Sequence, residues 1–207
     1  MKINTNTWNK IRYTLYTPGY DLIAGYFKAS RTKSIDSLDL KPSDKVLIIG
    51  AGTGLDLEII QTDCDIIATD ITPSMIARIK KRNIKLKRNV DAIVMDGQAL
   101  RYDDNSFDKI ILHLILSVIP NPVACIKEAE RVLKPGGYIV VFDKFVHKDT
   151  KISSIRRFVN ILTNLIFSDI TRDFESILDK TGLVLISDID ADFKGNFRLI
   201  KMTKNNV

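Results

Sequence analysis

The chain has 207 residues, 45% hydrophobic and 27% charged, enough for one α/β domain with a full core. Its longest apolar run, residues 110–119, is broken by His113 and Ser117 and is about half of what a bilayer requires, and Met1-Lys2-Ile3-Asn4-Thr5-Asn6 lacks the apolar stretch of a secretory leader. Cys64 and Cys125 make neither a disulfide framework nor a metal-ligand spacing, so a cytoplasmic chain without a metal site is expected, and the net charge of +6 turns attention to anionic partners.

Trp8, Ile11 and Leu15, then Tyr20, Ile23 and Phe27, fall at helical spacings with a break at Pro18-Gly19. They predict a helical cap over residues 1–40, ahead of a core over residues 41–207, in a single domain. Such a cap either roofs a ligand crevice or only covers a sheet edge. A buried strand over 45–50 then runs into Gly50-Ala51-Gly52-Thr53-Gly54, which opens a predicted helix over 55–61. Glycines let a ligand lie against the backbone. Leu55 stands where a dinucleotide GxGxxG motif needs its third glycine. The turn therefore suits a compact amino-acid-bearing nucleoside with no pyrophosphate.

The second strand, 65–69, ends at Asp70, where a carboxylate accepts hydrogen bonds from ribose hydroxyls; Ile71 beside it is taken as part of the same contact. Pro73 and Ser74 start a helix over 74–82, and Met75 is placed to pack on a purine. Arg78, Lys80, Lys81, Arg82, Lys85, Lys87 and Arg88 follow, either as a solvated face or as a surface for anionic lipid or nucleic acid. The third strand, 91–95, leads to Asp96-Gly97-Gln98. Asp96 can accept from an adenine amino group, and the Gly97 or Gln98 amide can donate to a ring nitrogen.

Asp108 opens the fourth strand, 109–116, and is read as structural. His113, near the end of that strand, is either a structural residue, as a lone histidine in an apolar strand most often is, or faces an acceptor as a general base or touches the ligand. A helix over 123–133 and a strand over 138–142 come next, with Asp143 just beyond. Ile152, Ile155, Phe158, Val159, Leu162, Leu165 and Ile166 form a stripe at helical spacing, a packed helix or an interfacial one. After a helix over 171–180, strands over 183–189 and 196–202 are joined through Gly195 and should be antiparallel neighbours. The fold class is thus α/β: a Rossmann-like, doubly wound, seven-stranded sheet, mostly parallel with one antiparallel strand.

Several pieces together resemble the class I, seven-stranded S-adenosylmethionine-dependent methyltransferases. They are Ile49-Gly50-Ala51-Gly52-Thr53-Gly54, Ala68-Thr69-Asp70 with Met75, Asp96-Gly97-Gln98, Ser106-Phe107-Asp108 and Val132-Leu133-Lys134-Pro135-Gly136-Gly137, in family order over roughly residues 40–145. The resemblance implies S-adenosylmethionine as cofactor, held by the turn, Asp70 and Asp96. One departure is Ile48, where the family often carries Glu or Asp near the cofactor's amino group. Tyr16-x-x-x-Tyr20-Asp21, Leu116-Ser117-Val118-Ile119-Pro120-Asn121-Pro122 and Gly195-Asn196-Phe197-Arg198-Leu199 are similar to the group of ubiquinone/menaquinone C-methyltransferases and bacterial phosphatidylethanolamine N-methyltransferases.

The resemblance implies methyl transfer to a small-molecule or lipid acceptor, with phosphatidylethanolamine the leading candidate. C- or O-methylation of a quinone precursor or soluble molecule is the alternative, and a non-catalytic S-adenosylmethionine-binding module a third. His113, Tyr16, Tyr20 and Asp143 are the candidates for the acceptor side. A nucleic-acid partner is not expected, because His113-Leu114-Ile115-Leu116 stands where DNA-base enzymes carry Asn/Asp-Pro-Pro-Tyr/Phe. Peripheral contact with an anionic membrane fits residues 78–88.

Overall fold

The computed structural model describes residues 4–17, 19, 21, 25–88, 90–146, 160, 168–191 and 196–205. Seven strands share one sheet: β1 (Lys45–Ile49), β2 (Asp65–Asp70), β3 (Val90–Val94), β4 (Phe107–His113), β5 (Leu133–Lys144), β6 (Leu183–Asp190) and β7 (Phe197–Lys204). Their order is β3-β2-β1-β4-β5-β7-β6. Neighbours among β1–β5 pair in parallel, and β7 runs antiparallel between β5 and β6. The expected sheet, mostly parallel with one reversed strand, is the one observed.

The reason lies in what each strand can bury. Val46, Leu47, Ile48 and Ile49 are at most 1% exposed, an unbroken apolar run that demands cover on both faces. On one face, Leu47, Ile49, Ile110, Leu112 and Val141 pack with Cys125, Ile126 and Ala129 and with Phe174 and Ile177. On the other, Val46, Ile48, Ala68, Ile111 and Val140 pack with Ile35, Ile76 and Ile79. The covering helices are α2 (Lys28–Asp36) and α3 (Pro73–Leu86) on the second face, and α4 (Pro122–Val132) and α5 (Phe174–Leu178) on the first. α4 starts sharply because Asn121 caps it, accepting from the Ala124 amide at 3.0 Å, and Pro122 occupies its first turn.

Ahead of the sheet lies α1 (Asn6–Tyr16), capped by the Thr5 hydroxyl. Its sides are inverted relative to an ordinary surface helix. Ile11 and Leu15 are 50% and 72% exposed, whereas Asn9 and Arg12 are buried.

Several element bounds differ from the sequence reading, among them the helix expected over 171–180, which spans only Phe174–Leu178. The helix anticipated over 55–61 is only a 3-10 turn, Leu55–Glu58, because Asp56 is drawn inward against Arg31 and His113 while Leu57, Ile59 and Ile60 are all buried. The fourth strand stops at His113, since Leu114 takes a left-handed φ of 57° and its amide bonds to the Phe142 carbonyl at 2.8 Å. The fifth strand begins early, at Leu133, which pairs with Phe107 beyond an irregularity in the ladder. The stripe over 152–166, Tyr20, Ile23 and Gly195 lie outside the described residues.

Candidate functional site

The sheet order reverses direction between β1 and β4, and in open α/β sheets ligands bind at such a switch point, beyond the carboxyl ends of the strands. A cavity opens there. It is built first from β1. Gly50 follows the strand at φ 70°, and a Cβ on it would come within 2.6 Å of the Ile115 side chain, so any other residue would push the wall apart. Gly52 lies two residues on and also lines the cavity.

Asp70 ends β2. One of its oxygens accepts from the Gly52 amide at 3.0 Å and the other from the Thr72 amide at 2.8 Å. Burial pushes its carboxyl above the usual range, against the pull of the Thr72 and Gly52 amides. A carboxylate has about four lone-pair sites, so acceptor capacity remains toward the cavity. Asp96 follows β3 and Met95. Its Oδ1 accepts from the Gln98 amide at 2.9 Å, and Oδ2 from the Asn6 side chain at 2.6 Å. Gly97 beside it allows Ile49 to approach; a Cβ there would meet Ile49 Cγ2 at 2.6 Å.

Of the residues singled out from sequence, Gly50, Gly52, Asp70, Ile71, Met75, Asp96 and Gly97 thus line one cavity. Ala51 and Thr53 are buried beneath it, Gly54 turns the chain at φ 82°, and Gln98 braces Asp96. Among the described lining residues there are two carboxylates, Asp70 and Asp96, and no lysine or arginine.

The roof is α1. Asn6, Asn9 and Tyr13 line the cavity from above. Asn4 and Asn9 both donate to the Val118 carbonyl, at 2.7 and 3.2 Å. Asp21, past the end of α1, accepts from the Thr53 hydroxyl and from Arg82 at 2.7 Å, which clamps the cap onto the glycine turn and α3. The apolar periodicity of α1 concealed these contacts; the signal was the pair of carboxamides at 6 and 9, one turn apart. Tyr16 ends α1 with its ring 6.0 Å from that of Tyr13.

Two assignments on the acceptor side are corrected. His113 does not line the cavity. It is 4% exposed, with Nδ1 2.9 Å from Asp56 Oδ1 and Nε2 3.0 Å from Ser34 Oγ. It sits on the α2 face of the sheet, two residues from Ile111, and period-2 alternation aims it away from the cavity wall. Both nitrogens are engaged, so it is not placed to take a proton from an acceptor or to touch the cofactor. Arg31 Nε completes the cluster at 3.1 Å from Asp56. Burial would raise the Asp56 carboxyl, but Arg31 and His113 together hold it down at about 2.

Asp143 is wholly buried. It accepts from the Ser117 amide at 2.9 Å and the Lys144 amide at 2.8 Å, which fixes the turn after β4 instead of presenting a base. Burial raises its carboxyl despite the Ser117 and Lys144 bonds.

Other expected contacts turn out to be supports. Ile48 is buried in the core, where an acidic side chain would be unpaired. Asp108 accepts from the Lys45 amide at 3.0 Å and from Lys134 at 2.8 Å. Arg198 lies between Glu175 and Asp188. In the basic segment, Arg82 is held by Asp21 and Glu58, and Arg88 by the Ile60 carbonyl. Arg78, Lys80, Lys81, Lys85 and Lys87 are exposed around Ile84, itself 80% exposed.

Comparisons with known proteins agree with this geometry. Residues 47–141 match a family described as a methyltransferase domain. A demethylmenaquinone methyltransferase of Corynebacterium efficiens is 35% identical over 118 residues, 56% of this chain and 49% of that one. A phosphatidylethanolamine N-methyltransferase of Cereibacter sphaeroides is 27% identical over 115 residues, 55% of this chain and 57% of that one. The chain spans about half the length of the curated relatives it matches. The YcgJ protein of Bacillus subtilis shares the fold, with a TM-score of 0.74 at 18% identity over 86% of this chain and 99% of that one.

Proposed function

We propose that this chain, a class I S-adenosylmethionine-dependent methyltransferase by its domain and fold, transfers a methyl group to an acceptor carried at a membrane surface. The cofactor reading rests on the charge of the cavity. Two carboxylates on the cavity, Asp70 and Asp96, suit a ligand with net positive charge, as the sulfonium cofactor has; Lys10 and Arg101 border the adjoining pocket that shares Asp96. When bound, S-adenosylmethionine supplies an electrophilic methyl. Asp70 would hold the ribose hydroxyls, Asp96 and the Gly97 amide the adenine, and Gly50 and Gly52 would let the methionine portion lie against the backbone; the Gln98 amide is spent on Asp96. The protein's remaining work is to align the acceptor and exclude water.

Three observations support an acceptor held at a membrane. The outer face of α1, over the cavity, exposes Ile11 and Leu15. α3 and Lys87 just past its end carry five exposed cations around Ile84. Anionic lipid attracts each nearby cation by ~1 kcal/mol, enough in sum for reversible attachment. The third is that Leu114 both lines the cavity and packs on the cluster of Phe142, Phe197 and Leu199, with the Phe27 ring 4.8 Å from Phe197. That apolar wall favours the ring of a demethylmenaquinol-type acceptor, in line with the 35% identical relative. A phosphatidylethanolamine amine is the second reading, favoured by the relative of that name and by the cationic face.

The test is a methyl-labelling assay on vesicles of phosphatidylethanolamine and anionic phosphatidylglycerol, with and without demethylmenaquinol. Label in a lipid product, dependent on the anionic component, is the expected result. Turnover of soluble amines alone overturns the membrane reading, and failure to bind S-adenosylhomocysteine overturns the cofactor reading.

A further inference from the structure

We infer that α1 carries a nucleobase-reading residue, Asn9, whose side-chain carbonyl joins Asp96 in selecting a base with an exocyclic amino group; this rests on the cofactor reading above. Asn9 is 4% exposed and lines the cavity. Its amide nitrogen is spent on the Asn4 side chain at 3.0 Å and the Val118 carbonyl at 3.2 Å. Its Oδ1 is buried and has no hydrogen-bond partner among the described residues. A buried carbonyl left without a donor is costly, and such groups in native proteins call for a partner. The bonds made by Nδ2 fix which way the carboxamide is turned, so the unpaired atom is the acceptor.

The surroundings narrow the missing donor. Asn6, one turn earlier on the same face, donates to Asp96 Oδ2 at 2.6 Å and accepts from Gln98 Nε2 at 3.1 Å. Gln98 in turn accepts from the Asn121 amide at 2.8 Å, next to the turn that holds Val118. The carbonyl of Asn9 and the carboxylate of Asp96 thus both belong to residues that line this cavity, and both are acceptors. An exocyclic amino group has two hydrogens and no carbonyl, which satisfies both. A base with a carbonyl at that position sets three acceptors against one another. Asn6 is a positioning residue: it aims Asp96 and ties α1 to the base. The cap helix thereby senses which nucleoside is beneath it.

The experiment measures calorimetric affinity for S-adenosylhomocysteine and for S-inosylhomocysteine, which carries a carbonyl oxygen in place of the amino group. The wild type should prefer the amino compound by on the order of a hundredfold, two mismatched acceptors at roughly tenfold each. Asn9→Leu removes the unpaired carbonyl at similar volume, and the preference should fall about tenfold. Asn9→Ala gives the same ratio should the leucine variant fail to fold, and thermal denaturation without ligand separates a loss of cap stability from a loss of recognition. An unchanged preference in a folded variant, or no preference in the wild type, overturns the inference. No binding of S-adenosylhomocysteine by the wild type overturns the cofactor reading instead.

Discussion

Over the ends of β1, β2 and β3 the crevice is walled by backbone and by half-buried carboxylates that border the cavity; over the ends of β4 and β5 the polar side chains are turned into the protein. Asp70 holds two backbone amides and borders the cavity. Asp143 also holds two amides, yet is completely enclosed, and His113 is spent on Asp56 and Ser34. The same residue types thus serve opposite ends. On the β1–β3 side a carboxylate is open to the cavity; past β5 it is sealed and props up a turn. On the β4 side the cavity wall is apolar: Leu114, Ile115, Val118 and Ile119.

This contrast can be broken most forcefully at Asp56. Asp56→Ala leaves Arg31 charged and enclosed, and should cost about 3–5 kcal/mol of folding stability. Cofactor affinity in the folded fraction should stay within about threefold, well under 1 kcal/mol. Urea unfolding alongside calorimetry checks this; lost affinity at unchanged stability would put the cluster in the binding site after all. Asp70→Ala should behave the other way round. Removing its carboxylate orphans the Gly52 and Thr72 amides, and S-adenosylhomocysteine should bind more weakly by about 2 kcal/mol, roughly thirtyfold.

The pH dependence of stability sharpens the same contrast. The Asp56 carboxyl is held at about 2 in the fold, below its unfolded value of about 4. Its stabilisation, on the order of 2 kcal/mol, is therefore present above pH ~4 and is lost as pH falls toward 2. Denaturant melts across that window should show the loss in the wild type and a flatter profile in Asp56→Asn. An identical acid limb in both proteins contradicts the assignment. Smallest is the surface effect. Lys81→Gln and Lys85→Gln should each weaken partition onto anionic vesicles by ~1 kcal/mol, leaving calorimetric cofactor affinity unchanged. Equal partition of the double variant would remove α3 from the proposed membrane face.

The β1–β3 side of the cavity was legible because its parts are local. A strand, a glycine turn and a carboxylate at the next strand end occupy contiguous stretches, and each is forced by backbone geometry near it. The acceptor half was misread because alternation along β4 decides the direction of His113, and that phase depends on which face of the sheet receives α2. α2 itself gave no apolar stripe: besides Ile35 it buries Arg31 and Ser34, polar residues acceptable inside only because Asp56 and His113 meet them from elsewhere in the chain. Asn9 escaped notice for the same reason, since it lies on what periodicity marks as the outward side of an apolar helix.

By itself, then, the sequence determined the strand-and-helix alternation, the reversed last strand and the residues that meet on the β1–β3 side of the crevice. These follow from hydrophobic period, glycine geometry and residues adjacent along the chain. Only the tertiary structure decided which polar residues are available. His113, Asp143 and Asn9 look alike as isolated letters, and whether each is spent depends on partners up to 109 residues away. Hydrogen-bond saturation is a property of the folded neighbourhood and leaves no mark in local sequence.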